Sequence, residues 1–371
     1  MHPSNSDPAE LLSAPPFGVA RDDKRRALTE ALNALTTLHR ERCEPYARAL
    51  RVMHPSGAPA ASPEDVPFLP VTVFKTHTLR SVPEAEVFKV LTSSGTTGQV
   101  PSRIYLDRDT ATRQTRALAH IMTSVLGPQR LPMVLIDTKS VFQNRQSFSA
   151  RGAGLLGMAN FGRDHFYALD DEMRLDEAGL AAFLEKYSGK PLLVFGFTFM
   201  IWLYFLRAAE RMKADLSQAT LIHSGGWKKL ADQAVDNPRF KAALRDATGL
   251  ARVYNFYGMV EQVGSVFVEC DAGVLHAPSF ADVIARDVRT LEPAPFGVEG
   301  VLQVVSVLPT SYPGHSLLTE DLGTVLGEDD CACGRKGRYF AVRGRVARSE
   351  VRGCSDTHAP SPSNDTARGA A

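Results

Sequence analysis

Val87-Phe88-Lys89-Val90-Leu91-Thr92-Ser93-Ser94-Gly95-Thr96-Thr97-Gly98 is the stretch that decides the fold. An aliphatic run, VFKVL at 87–91, gives way to a loop made of hydroxyls and glycines. A strand ending in such a loop can wrap phosphate oxygens with backbone N–H groups and hydroxyls, because glycine lets the main chain come close. The G-x-x-x-x-G-K-[ST] spacing is absent and the loop holds no lysine, so a Walker-type NTPase is excluded. Taken alone, the segment also reads as an ordinary Ser/Gly/Thr turn.

Working outward, short β-branched or aliphatic runs predict further strands at 133–136, 192–195, 219–224, 252–257 and 301–307. Amphipathic spacing predicts helices at 108–126, 174–187, 200–213 and 228–247 between them. Strand followed by helix, repeated, is the pattern of an α/β domain. Ahead of it, Leu28, Leu32, Leu35 and Leu38 mark one amphipathic helix over Arg21 to Leu50, and the Pro/Ala/Ser-rich residues from His54 to Pro70 a loop. The uncharged run PLLVFGFTFMIWLYFL, Pro191 to Leu206, is read as a strand, a break at Gly196 and an apolar helix. It is shorter than the roughly 20 residues that cross a bilayer. The tail after Cys354 is small, polar and Pro-bearing, and is expected to be mobile.

The composition narrows the function. With 371 residues, 44% hydrophobic and 22% charged, the chain can bury a sizeable core. Lys and Arg total 42 against 41 Asp and Glu, so no global field collects nucleic acid or anionic membrane. The first residues lack a basic region followed by an apolar one, which points to the cytoplasm. Five cysteines (Cys43, Cys270, Cys331, Cys333, Cys354) in a chain this large argue for reduced thiols kept for metal or chemistry.

Four further motifs follow the hydroxyl loop: His223-Ser224-Gly225-Gly226, Tyr257-Gly258-Met259-Val260-Glu261, Thr319-Glu320-Asp321-Leu322-Gly323 and Gly344-Arg345. In this order the set resembles the adenylate-forming superfamily of acyl-CoA synthetases, peptide-synthetase adenylation domains and related ligases. Val260 departs from the Thr of the Tyr-Gly-x-Thr-Glu pattern. The resemblance implies ATP with its phosphates in Ser93–Gly98, adenine against Ser224, Gly225 and Gly226, ribose on Asp321, and Mg²⁺ on Glu261. It also implies Tyr257 and Gly258 lining the site and Arg345 near a domain hinge. The residue types agree: a carboxylate can accept both ribose hydroxyls, a hard oxygen suits Mg²⁺, and a guanidinium fork suits phosphate or ribose oxygens. Tyr257 can stack on adenine or fill core.

Pro67 to Leu79 (PFLPVTVFKTHTL), Asp329 to Gly337 (DDCACGRKG), Gly344-Arg345 and Glu350 to Cys354 (EVRGC) are similar to the LuxE-type acyl-protein synthetases, kin of phenylacetate-CoA ligases. The similarity covers about residues 65 to 358. It implies an α/β fold of layered sheets, the large N-terminal domain of adenylate-forming enzymes, with the small lysine-bearing C-terminal domain absent. The expected divisions are a helical segment and loop at 1–64, the α/β domain at 65–345, and a hinge remnant with Cys354 at 346–371. It also implies an AMP-forming acid–thiol ligase: a carboxylic acid becomes an acyl-adenylate, and the acyl group passes to Cys354 and then to a partner reductase. An acyl-accepting protein or carrier are the other partners expected. Without the lysine of the absent domain another cation must neutralise the α-phosphate, and Arg345, Arg352 and Lys75 all qualify; Val346, Ala347, Arg348 and Ser349 stand where the usual hinge Asp is expected. Seven Lys/Arg from Arg335 to Arg352 against the single Glu350 provide a setting that lowers a thiol pKa.

Cys270-x₅-His276 and Cys331-x-Cys333 form two short ligand pairs, and Cys₃His is a structural zinc set; three unconnected cysteines and a surface histidine are the alternative. An acid pocket is expected between the helix at 197–206 and Asp137 to Phe166, where Phe142, Gln143, Arg145, Phe148, Gly152, Gly154, Gly157 and Met158 cluster. Two other functions stay open: an acid–CoA or carrier-protein ligase with Cys354 passive, and a noncatalytic nucleotide-binding partner subunit.

Overall fold

The structure, a computed structural model, describes residues 8–93, 101–142, 150–227 and 234–346. The described residues form fourteen strands: β1 (Leu69–Pro70), β2 (Lys89–Thr92), β3 (Arg103–Leu106), β4 (Leu131–Thr138), β5 (Gly162–Leu169), β6 (Leu192–Phe197), β7 (Ala219–Ser224), β8 (Arg252–Tyr257), β9 (Phe267–Glu269), β10 (Leu275–His276), β11 (Ala281–Arg286), β12 (Glu299–Ser306), β13 (Ser316–Glu328) and β14 (Arg338–Arg345). Strands β2 and β3 make a separate antiparallel hairpin, and the other twelve form one sheet in the order β11-β12-β13-β14-β10-β9-β8-β7-β6-β4-β5, with β1 alongside β13. The α/β expectation holds.

The sheet has two halves. Strands β5, β4, β6, β7 and β8 are parallel, joined by crossovers, and β8 to β11 through β14 are antiparallel. Parallel strands covered on both faces read as continuous apolar runs. In β4, Pro132 to Thr138 are all buried, and in β6 every residue is. The chain passes from β4 to β5 on one side and returns to β6 on the other, so the order reverses at β4. In open α/β sheets the crevice outside the carboxyl ends of strands at such a reversal receives the ligand.

Three boundaries differ from expectation for identifiable reasons. Gly196 does not break the run: it lies inside β6, paired with Ile136, and the helix begins at Thr198. A Cβ at Gly196 would come within 2.9 Å of Ile201 and 3.0 Å of Ile136, so the glycine serves close packing rather than a turn. The single helix over 21–50 is two, Arg21–Arg42 and Glu44–Met53, separated at extended Cys43 with Pro45 opening the second. The helix expected from 228 begins at Asn237, where the Asp236 side chain accepts from Arg239 N–H at 2.8 Å; residues 228–233 lie outside the described residues. The loop over 54–70 also holds a short 3₁₀ turn at Pro63–Asp65 and β1. Among the described residues no helix is long and apolar enough to cross a membrane.

Candidate functional site

The motif residues gather at the carboxyl edge of the parallel half. Ser93 ends the β2 side of the hydroxyl loop, where its Oγ accepts from Ser102 N–H at 2.9 Å and its own N–H donates to Ser102 O at 3.2 Å. These bonds close the end of the β2–β3 hairpin; Ser94, Gly95, Thr96, Thr97 and Gly98 lie outside the described residues. Ser224 ends β7, and Gly225 turns the chain at φ +83°, a conformation glycine adopts without Cβ strain. A Cβ at Gly226 would meet nothing within 4 Å among the described residues, so toward them this turn presents bare backbone.

Beside it, Tyr257 ends β8 and Glu261 sits on a 3₁₀ turn, Val260–Gln262, that crosses the top of the sheet. Gln262 pins that turn by donating to Gly314 O at 2.7 Å and Val304 O at 3.1 Å, and Tyr312 OH donates to Glu261 O at 2.9 Å. From the antiparallel half, β13 brings Asp321 directly opposite Arg345 of β14. The register shifts immediately after, between Leu322 and Gly323, a bulge of the kind that re-aims a side chain. Thr319 Oγ1 donates to Leu302 O at 2.7 Å and accepts from Asp321 N–H at 3.1 Å, holding the carboxylate's backbone.

Tyr257, Asp321 and Arg345 thus form one constellation. Tyr257 OH donates to Asp321 Oδ2 at 2.7 Å, and Arg345 Nε lies 3.3 Å from Oδ1. Burial and the neighbouring Asp321 carboxylate push the Tyr257 phenol well up, so it stays a donor. Its ring packs against Phe267 and Phe340, so Tyr257 fills core with the ring and serves the site with its hydroxyl. An ionised carboxylate offers about four lone-pair sites, so Asp321 keeps acceptor capacity for further donors. Burial raises the Glu261 carboxyl above its ordinary range, against the pull of Ser102, Lys75 and Arg345.

Among the described residues, three buried polar atoms here lack partners: Gln262 Oε1, Asn255 Oδ1 and His223 Nε2. His223 and Asn255 are neighbours across β7 and β8. Thr198 Oγ1 donates to Ser224 O at 3.2 Å and lies 2.9 Å from His223 Nδ1. With its hydroxyl hydrogen so engaged it accepts from Nδ1–H, which leaves Nε2 a bare acceptor. Burial lowers the His223 pKa to about 3, so the ring is neutral. Buried polar groups are normally hydrogen-bonded, so such atoms mark where a ligand or water belongs. Gln262 and Asn255 are not legible in the sequence, because a lone Gln and a strand Asn carry no spacing signal.

The proposed metal ligands converge separately, at the tips of two hairpins. Cys270 follows β9, His276 is on β10, and Cys331 and Cys333 lie in the turn from β13 to β14. Their donor atoms all lie within 4.8 Å of one another. Cys270 and Cys331 Sγ are 3.9 Å apart, and Cys333 Sγ is 3.4 Å from His276 Nε2. A tetrahedron with arms of about 2.3 Å has edges of about 3.8 Å, so this spacing fits a four-coordinate ion. Burial, reinforced by Cys331 and Cys270, pushes the Cys333 thiol up to about 12. Without a cation the Cys333 thiol holds its proton.

In the expected acid pocket, Gly154 faces Phe197 at the end of β6, and Arg151 and Asp137 form a buried bidentate ion pair at the carboxyl end of β4. Gln143, Arg145 and Phe148 fall outside the described residues, as does Cys354.

Fold and motif order together define an adenylate-forming ligase. The 2-hydroxyisobutyryl-CoA ligase in complex with 2-HIB-AMP and CoA shares the fold, with a TM-score of 0.67, 19% identity, and coverage of 90% of this chain and 77% of that one. The same ligase in its postadenylation state superimposes with a TM-score of 0.67 over 89% of this chain and 69% of that one. The family model for "Acyl-protein synthetase, LuxE" matches residues 3–360, and the chain belongs to that family. A curated relative, the long-chain-fatty-acid–luciferin-component ligase of Vibrio harveyi, is 27% identical over 309 residues, 78% of this chain and 76% of that protein. The protein is accordingly an AMP-forming acid–thiol ligase, which activates a carboxylic acid as an acyl-adenylate and passes the acyl group to a thiol.

Proposed function

We propose that ATP lies across the junction of the two half-sheets, with each motif in the role its chemistry suits. Adenine rests on Ser224, Gly225 and Gly226, where its amino group finds the unpartnered Asn255 Oδ1. The ribose hydroxyls donate to Asp321, and the phosphates enter the Ser93–Gly98 loop. Glu261 holds Mg²⁺: a buried carboxylate short of counter-charge is the donor such an ion needs, and the bound ion would neutralise phosphate charge. The acid's carboxylate oxygen bonds the α-phosphorus, and the bond to pyrophosphate breaks with its electron pair leaving on the pyrophosphate. The Cys354 thiolate then attacks the acyl carbon, AMP leaves, and the thioester is handed to an acyl-accepting protein.

Convergence of Tyr257, Asp321 and Arg345, from segments up to 88 residues apart, at the end of the last parallel strand carries this reading. The long-chain fatty acid named for the Vibrio relative makes fatty acids the first substrates to try. Pyrophosphate release that requires both acid and ATP is the expected result. A hydroxylamine-labile acyl label should form on the wild type and vanish in Cys354→Ser. A label that reaches free coenzyme A equally in both forms would overturn the role of Cys354. We infer further that Cys270, His276, Cys331 and Cys333 hold a structural Zn²⁺, since four protein donors leave no position open for water.

A further inference from the structure

Three cations could meet the α-phosphate, and the geometry distinguishes them. Arg345 is committed to Asp321 at 3.3 Å, and Arg352 lies outside the described residues. Lys75 is placed by a chain of contacts that starts in the site itself. Strand β1 pairs with β13 through Leu69↔Leu317 and Pro70↔Leu318, and Val71 N–H continues the ladder to Leu318 O at 2.9 Å. That fixes the entry to a one-turn helix, Val73–Thr76, three residues from Asp321 along β13.

Phe74 anchors the turn. It is 1% exposed, with its ring 6.1 Å from that of Tyr312 in edge-to-face contact, and Tyr312 OH holds the Glu261 carbonyl. The turn also packs against β3, the strand by which the chain returns from the hydroxyl loop. The turn that carries Lys75 is therefore tied to the phosphate loop's return strand, the Glu261 turn and the Asp321 strand. It is half-buried, and among the described residues its ammonium forms no ion pair or side-chain hydrogen bond. A half-buried lysine without a carboxylate partner carries charge available to a ligand, and Glu261 already feels that charge.

We propose that Lys75 is a catalytic residue of acid activation, its ammonium contacting the non-bridging oxygens of the α-phosphate. This assignment rests on the nucleotide reading above. As the acid's oxygen bonds phosphorus and pyrophosphate departs, negative charge gathers on those oxygens, and a fixed cation stabilises that state more than the ground state. No proton moves at Lys75, which stays an ammonium throughout.

The test is acid-dependent ATP–pyrophosphate exchange in Lys75→Met, Lys75→Arg and Asp321→Ala, each with a thermal melt. Lys75→Met should lower kcat about 100-fold with KM for ATP changed by less than about 3-fold, and Lys75→Arg should recover part of the loss. Melting temperatures of both Lys75 variants should match the wild type, because a partly exposed side chain without a partner contributes little to stability. Exchange by Lys75→Met within about 3-fold of wild type, or a loss confined to KM, overturns the catalytic role while leaving the nucleotide site intact. Full exchange by Asp321→Ala would overturn the nucleotide reading, and the role of Lys75 with it.

Discussion

The nucleotide face and the thiol cluster are both built from distant segments, yet one is open and the other closed. Around Tyr257 and Asp321, the side chains leave acceptor capacity and, among the described residues, three unpartnered buried atoms, which is how a site that must bind and release its ligand is made. At the hairpin tips, four ligand atoms lie within 4.8 Å of one another. An ion held there would draw on all four and leave no position for water. On the readings proposed above, the contrast separates a site that turns over from a clamp.

The comparison breaks most visibly at the clamp. Cys331→Ser should reduce bound zinc, by elemental analysis, from about one equivalent to under about a tenth, and lower unfolding stability by about 4 kcal/mol or more in denaturant titration. Substoichiometric zinc in the wild type would make the cluster a set of core thiols instead. At the open site, Asp321→Ala should cost about 100-fold in kcat/KM for ATP, near 3 kcal/mol, with zinc unaffected. Tyr257→Phe removes one hydrogen bond to the same carboxylate and keeps the ring packing, so about 1 kcal/mol, roughly 5-fold, is expected in that assay.

The smallest effect is a pH dependence. Glu261 has its pKa raised by burial, so the folded state binds its proton more tightly than the unfolded chain. That contribution to stability is whole below the ordinary carboxylate pKa of about 4.5 and is lost as pH rises through the raised value. Glu261→Gln, free of nucleotide and Mg²⁺, should melt like the wild type at low pH and above it at neutral pH. Equal melting at both would show that the Glu261 carboxylate carries no folding cost.

Much of this was legible in the residues, and unevenly. Strands β7 and β8 and the helix Arg108–Leu126 have the bounds their patterns predict, because uninterrupted apolar or periodic runs report burial directly. Strands β13 and β14, which carry Asp321 and Arg345, were not predicted as strands. SLLTEDLGTVLGE and RYFAVRGR mix charges and glycines into half-exposed ladders with bulges, and no clean alternation survives. The site was readable where motif spacing spoke, as at Tyr257 and the thiol pairs. It was silent at Gln262 and Asn255, whose meaning depends on side-chain oxygens left without a partner among the described residues.

The bond from Tyr257 to Asp321 joins the last parallel strand to the long antiparallel one, reaching past β9, β10 and β14 to the far half of the sheet. A nucleotide spanning the same gap would add a second tie between units that otherwise meet through short strands. Amide hydrogens of β9 and β10, each only two or three residues long, should then exchange with solvent more slowly when ATP is bound, making their deuterium uptake a gauge of occupancy.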